Sequence, residues 1–142
     1  MNELSLENIL LNQKIENKSQ AIDLVGNILL KAGSIKTEYI ESMHKRDELV
    51  SVYIGNKIAI PHGIDQSQVF INKTDISIAI LSEEVLFDGN PVQVVIGIAA
   101  LDDEHLDIIQ KIAITCSSID NVERLLNAKT REEVIDIFRE VD

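Results

Sequence analysis

Apolar and polar positions along this chain change period several times, and each change marks an element. Ile9-Leu10-Leu11 is a short apolar run suited to an edge strand. From Ser19 the spacing turns helical: Ile22, Val25, Leu29 and Ala32 share one face, and Gly33 ends the run. Thr37 is placed to cap a second helix carrying Tyr39, Ile40 and Met43 and fading near Arg46. Gly55-Asn56 signals a turn into a strand over residues 57–60, which Pro61 should end because it has no N–H to give a ladder. Residues 75–81 alternate through Ile76, Ile78 and Ile80 as a strand does. Asp88-Gly89-Asn90 marks a tight turn, and Pro91 leads into a buried strand over 92–100 that stops before Asp102-Asp103.

The final third reads as helix. Leu106, Ile109, Ala113 and Cys116 fall on one face and Ile108, Ile112 and Ile119 broaden it, which predicts a deeply buried helix. Asp120 with Glu123, and Thr130 with Glu133, have capping-box spacing for two further helices. The last would present Val134, Ile135, Ile137, Phe138 and Val141 to the core. Helices and strands interleave without a strict repeat. The expected fold is α/β in the broad α+β sense: a mixed β-sheet flanked by helices, in a single compact domain over 1–142.

Charge narrows the function. Thirteen basic against twenty-four acidic residues leave a net charge of −11, a surface that repels nucleic acid and anionic lipid and suits a basic protein partner. Aromatic residues make up 4% with no tryptophan, so Ile, Val, Leu and Ala must build the core. The single Cys116 cannot close an internal disulfide. Met1-Asn2-Glu3-Leu4 lacks the basic and apolar regions of a signal peptide, and no apolar run approaches a bilayer's thickness. A cytoplasmic location is expected.

The chemistry gathers around Pro61-His62-Gly63. A strand that ends at Pro61 and turns at Gly63 would hold His62 at the rim of a rigid sheet, where an imidazole can act as a nucleophile. Taken alone, the tripeptide reads first as an ordinary polar strand end. His105 follows Asp102-Asp103-Glu104, where the next strand gives way to a helix, so two loops would bring two histidines to one sheet edge. Neutral imidazole can both donate and accept there. Arg46, in Lys45-Arg46-Asp47, could offer two N–H groups to a phosphoryl group with Asp47 orienting it, or could be an ordinary helix-end cation. His44 reads as a solvated helix residue and Cys116 as packing. Walker and dinucleotide glycine fingerprints, a calcium loop and a zinc ligand set are all missing, so neither cofactor nor metal is expected.

These residues carry a family resemblance. Arg46-Asp47-Glu48-Leu49, followed by Tyr53-Ile54-Gly55-Asn56-Lys57-Ile58-Ala59-Ile60-Pro61-His62-Gly63, resembles the signature of the fructose–mannitol type of enzyme IIA in the bacterial sugar phosphotransferase system. Val95-Ile96-Gly97-Ile98-Ala99-Ala100 and Glu104-His105-Leu106 resemble the family's second segment, and the similarity spans about residues 7–138. The resemblance implies a phosphotransferase with a phosphohistidine intermediate. His62 would take a phosphoryl group from HPr and pass it to a cysteine of the IIB component, with Arg46 and His105 as the other active-site residues. It also implies Nε2 as the phosphorylated nitrogen and an exposed His62 that HPr can approach.

The wording is most similar to mannitol members, although Ile64 and Asp102-Asp103 stand where those tend to show Thr and Asn-Asn. Three functions remain open at this point: a phosphocarrier for mannitol or another sugar, a regulatory nitrogen-type relative, and a binding module with an incidental histidine.

Overall fold

A five-stranded mixed sheet, described with the rest of the computed structural model over residues 3–140, carries the strand order β1-β4-β5-β3-β2. Its strands are β1 (Leu4–Gln13), β2 (Tyr53–Gly55), β3 (Ile58–Ala59), β4 (Asp75–Phe87) and β5 (Asn90–Ala99). The helices are α1 (Lys18–Lys31), α2 (Thr37–Leu49), α3 (Asp102–Cys116), α4 (Ile119–Leu126) and α5 (Arg131–Arg139), with a short 3₁₀ helix at Asp65–Phe70. β1 runs parallel to β4, β4 antiparallel to β5, β5 parallel to β3, and β3 antiparallel to β2. The expected mixed sheet flanked by helices is the fold observed.

The middle strands are buried on both faces because helices cover each side. Ile76, Ile78 and Ile80 of β4 and Ile96 and Ile98 of β5 pack with Ile108 and Ile112 of α3 and with Val134 and Phe138 of α5. Ala79, Leu81 and Val95 face the other way, onto Ile22, Val25 and Leu29 of α1 and Tyr39 and Met43 of α2. Small residues on that second face let α1 lie close, and the Ser77 hydroxyl reaches the Val25 carbonyl at 2.8 Å.

Several local expectations need correction. The α1 cap is Asn17, whose side chain accepts from the Gln20 N–H, and α1 turns Ala32 to solvent. Thr37 opens α2 without capping it. β2 is an additional strand: Gly55, Asn56 and Lys57 all have positive φ, which folds the expected strand back into a tight hairpin. β4 runs on to Phe87, and Asp88 and Gly89, at φ 53° and 89°, make the turn to β5.

The buried face of α3 is Ile108, Ile112, Thr115 and Cys116, while Leu106 and Ala113 lie outside, so α3 is amphipathic and half-covered. Ser118, rather than Asp120, caps α4. Thr130 does cap α5, accepting from the Glu133 N–H at 3.2 Å. Val134, Ile135, Ile137 and Phe138 of α5 are buried, and Val141 lies outside the described residues.

Candidate active site

β3 and β5 are central parallel strands, and both lose their regular pairing at the same end of the sheet. Pro61 breaks the β3 ladder, but the chain stays beside β5 for one more rung. The Ile98 N–H donates to the Pro61 carbonyl at 2.9 Å, and His62 pairs with Ile98 as an isolated parallel bridge. His62 is therefore set by sheet geometry although it lies beyond the strand proper.

On the neighbouring strand, β5 ends at Ala99 and α3 begins at Asp102. Leu101, at the cap position, offers no side-chain oxygen, and Thr74 instead ties the cap residue's own N–H to the Glu104 carboxylate. Its hydroxyl accepts from the Leu101 N–H at 3.1 Å and donates to Glu104 Oε1 at 2.8 Å. This anchors the first turn of α3 and with it His105, whose ring centroid lies 5.4 Å from that of His62 with an interplanar angle of 60°. The two imidazoles meet edge to face.

His62 is buried, with 7% of its surface exposed, where an exposed residue was expected. The cause is the close seat between the sheet end and the loops around it. Its Nδ1 lies 2.7 Å from the Ile60 carbonyl oxygen, which can only accept, so Nδ1 carries the proton and Nε2 keeps its lone pair. Burial is the largest influence on this ring and lowers its pKa from 6.5. The bond to Ile60 opposes that shift, and the charge of Arg46 and the neighbouring His105 add to it. The result is a neutral imidazole with one bare nitrogen.

Arg46 stands at the C-terminal turn of α2, half-buried, and its Nη1 donates to the Val50 carbonyl at 2.8 Å. Its charge reaches His62, as the lowered pKa records. Asp47 does not orient it. Asp47 is buried and pairs with Lys18 Nζ at 2.7 Å, and the same ammonium meets Asp88 of the β4–β5 turn at 3.0 Å. His44 is not simply solvated, since its Nε2 lies 2.7 Å from Asp23 Oδ1, and this pair belongs to the α1–α2 contact. Burial pushes the Cys116 thiol up to about 12, which makes it inert packing.

Tyr39 joins the site without having been singled out for it, and Gly63 does more there than turn the chain. The Tyr39 hydroxyl donates to the Ile98 carbonyl and accepts from the Gly63 N–H, each at 2.8 Å. A Cβ on Gly63 would collide with Ser42 Oγ, Ser67 Oγ and the Tyr39 ring, so only glycine fits there. A cleft whose lining includes Tyr39, Gly63, Asp65, Gln68, Asp102 and His105 opens next to the residue that follows His62. Among the described residues no group of three or more His, Cys, Asp or Glu side chains is arranged to hold a metal ion. No helix among them is long and apolar enough to cross a membrane.

Known proteins match this chain along nearly its whole length. The family model described as "Phosphoenolpyruvate-dependent sugar phosphotransferase system, EIIA 2" matches residues 3–141. A mannitol-specific phosphotransferase enzyme IIA component of Geobacillus stearothermophilus is 46% identical over 140 residues, covering 98% of this chain and 97% of that one. Its counterpart in Bacillus subtilis (strain 168) is 44% identical over 143 residues, covering 100% of both. A solved complex of enzyme IIA-mannitol with phosphorylated enzyme IIB-mannitol from Escherichia coli superposes with a TM-score of 0.88 at 30% identity, over 96% of this chain and 99% of that one.

Proposed function

Because this chain belongs to the EIIA 2 family of the phosphoenolpyruvate-dependent sugar phosphotransferase system, we propose that it is a phosphocarrier that takes a phosphoryl group from phospho-HPr onto His62 and gives it to a cysteine of a IIB component. One observation carries the assignment to His62. Its Nδ1–H is held by Ile60, so its only free lone pair is on Nε2, next to His105.

The reaction follows from that geometry. Nε2 of neutral His62 attacks the phosphorus of the donor phosphohistidine in line. The P–Nε2 bond forms as the donor's P–N bond breaks, and that electron pair stays with the donor ring. Charge on the three equatorial oxygens is met by the Arg46 guanidinium and an N–H of His105. Nδ1 keeps its proton throughout, so no general base is needed to create the nucleophile. The second transfer repeats the displacement with a cysteine thiolate attacking and His62 leaving. The net charge of −11 suits a basic donor, and the protein acts in the cytoplasm.

Mannitol is the sugar served, by similarity to mannitol-specific relatives at 46% and 44% identity. The discriminating experiment supplies phosphoenolpyruvate, enzyme I, HPr and this protein to membranes carrying either a mannitol or a fructose IIB–IIC permease. Mannitol phosphate should form far faster than fructose phosphate. Equal rates, or fructose phosphate alone, would overturn the sugar and leave the carrier role standing.

A further inference from the structure

We propose that Tyr39 is a positioning residue for phosphoryl transfer, acting through a hydroxyl inserted into the sheet one residue beyond His62; the catalytic part of this rests on the phosphocarrier reading above. The parallel pairing of β3 with β5 predicts the rung that should follow His62. The Ile98 N–H donates to the Pro61 carbonyl, so the Ile98 carbonyl should next accept directly from the Gly63 N–H. Instead the Tyr39 hydroxyl stands between them, donating to Ile98 and accepting from Gly63, both at 2.8 Å. Two bonds in series through the phenol oxygen join the two backbones at this rung. The Tyr39 oxygen thus occupies the rung at the residue after His62, and both backbone groups there have a partner.

Two features show that this rung is specifically built. Gly63 has no room for a Cβ against Ser42, Ser67 and the Tyr39 ring, so the backbone is pressed onto this side of the cleft. Tyr39 itself is 2% exposed, and burial pushes its hydroxyl up to about 12, so the phenol keeps its proton and remains a donor through the physiological range. His62 is consequently fixed from both sides. Ile60 holds its Nδ1–H, and Tyr39 holds the backbone of the following residue. Loss of the hydroxyl would let Gly63 close onto Ile98 or leave its N–H without an acceptor, and either response moves the His62 backbone. In-line displacement is sensitive to such movement, since a misplacement of about 1 Å can cost on the order of a hundredfold in rate.

Tyr39→Phe keeps the ring and removes only the inserted oxygen. With phospho-HPr as donor, kcat for phosphoryl acceptance should fall on the order of tenfold, with KM for the donor unchanged. The ¹⁵N imidazole spectrum of His62 should lose its single Nδ1–H tautomer pattern. Tyr53→Phe, which removes the chain's other phenol hydroxyl and leaves the inserted rung alone, should keep the wild-type kcat. A drop in Tyr39→Phe of less than about fivefold, an unchanged His62 spectrum, or an equal loss in Tyr53→Phe would overturn the proposal. Should Tyr39→Phe fail to fold, amide exchange in the wild type decides: Gly63 N–H protected from solvent supports the inserted rung, and exchange at an open-loop rate overturns it. A folded wild type that accepts no phosphoryl group would overturn the phosphocarrier reading and the catalytic role of Tyr39 with it. An active wild type with an unaffected Tyr39→Phe would overturn the role of Tyr39 alone.

Discussion

The Nδ1–H of His62 is donated to the carbonyl oxygen of Ile60, two residues back along its own chain, at 2.7 Å. A bond this local needs no distant element to form, and it decides which nitrogen can react. It also fixes the ring plane, so Nε2 is presented at the sheet edge with His105 beside it.

Neutral His62 gives the transfer a pH dependence of definite sign. Its folded pKa lies below 6.5, with burial the first cause, so between that lower value and 6.5 the unfolded chain binds more protons. The contribution of this group to stability is complete above pH 6.5 and is lost as pH falls through the folded value. Phosphoryl acceptance should fall with the folded group's own titration, below pH 6.5, since protonation removes the lone pair. An NMR titration should place the His62 midpoint below 6.5; a midpoint at or above 6.5 would contradict the account.

Arg46→Ala and His105→Ala should each slow transfer by about 10²–10³-fold, the usual loss when one donor to a developing charge is removed. Both should still reach one phosphoryl group per molecule at long times, because the acceptor atom remains. Arg46→Lys should recover only part of the rate, since an ammonium cannot offer two parallel N–H groups. Rapid-quench time courses separate rate from endpoint, and wild-type rates in either alanine variant would remove that residue from the mechanism.

Lys18 holds three elements through Asp47 at the end of α2 and Asp88 in the β4–β5 turn. Asp47 is buried, and its Oδ1 has no hydrogen-bond partner among the described residues. Lys18→Met would leave that carboxylate without its cation, and the expected cost is about 1–3 kcal/mol in chemical denaturation, moderated by the partial exposure of Lys18. Unchanged stability would show that the pair contributes nothing net.

Gly63→Ala should destabilise the fold by about 1–3 kcal/mol, because the new methyl must displace Ser42, Ser67 or Tyr39. The same substitution should slow phosphoryl acceptance, since the displaced backbone adjoins His62. Denaturation midpoints and transfer rates measured on one preparation check both halves.

What could be read from the residues alone was whatever is encoded locally. Pro61 and Gly63 bracket His62, and the change of period after Ala100 puts His105 at a helix start, so both histidines were found at one sheet edge. The alternating Ile76, Ile78 and Ile80 gave away β4 for the same reason. Short elements escaped, because β2 has three residues and depends on three consecutive positive φ angles at its turn. The α3 face was misjudged since Leu106 and Ala113 share the helical period of buried residues but meet no neighbour layer. Partnerships set by tertiary packing were invisible. Asp47 adjoins Arg46 in sequence yet binds Lys18, and Tyr39 looks like an apolar helix position until its hydroxyl is seen between Ile98 and Gly63.

The central claim is that His62 carries the phosphoryl group, and intact-protein mass tests it most directly. Wild type and His62→Ala are incubated side by side with phosphoenolpyruvate, enzyme I and HPr. The wild type should gain one phosphoryl group, labile to acid as a phosphohistidine is, and folded His62→Ala should gain none. Equal phosphorylation of His62→Ala, or an unmodified but folded wild type beside active upstream proteins, would contradict it.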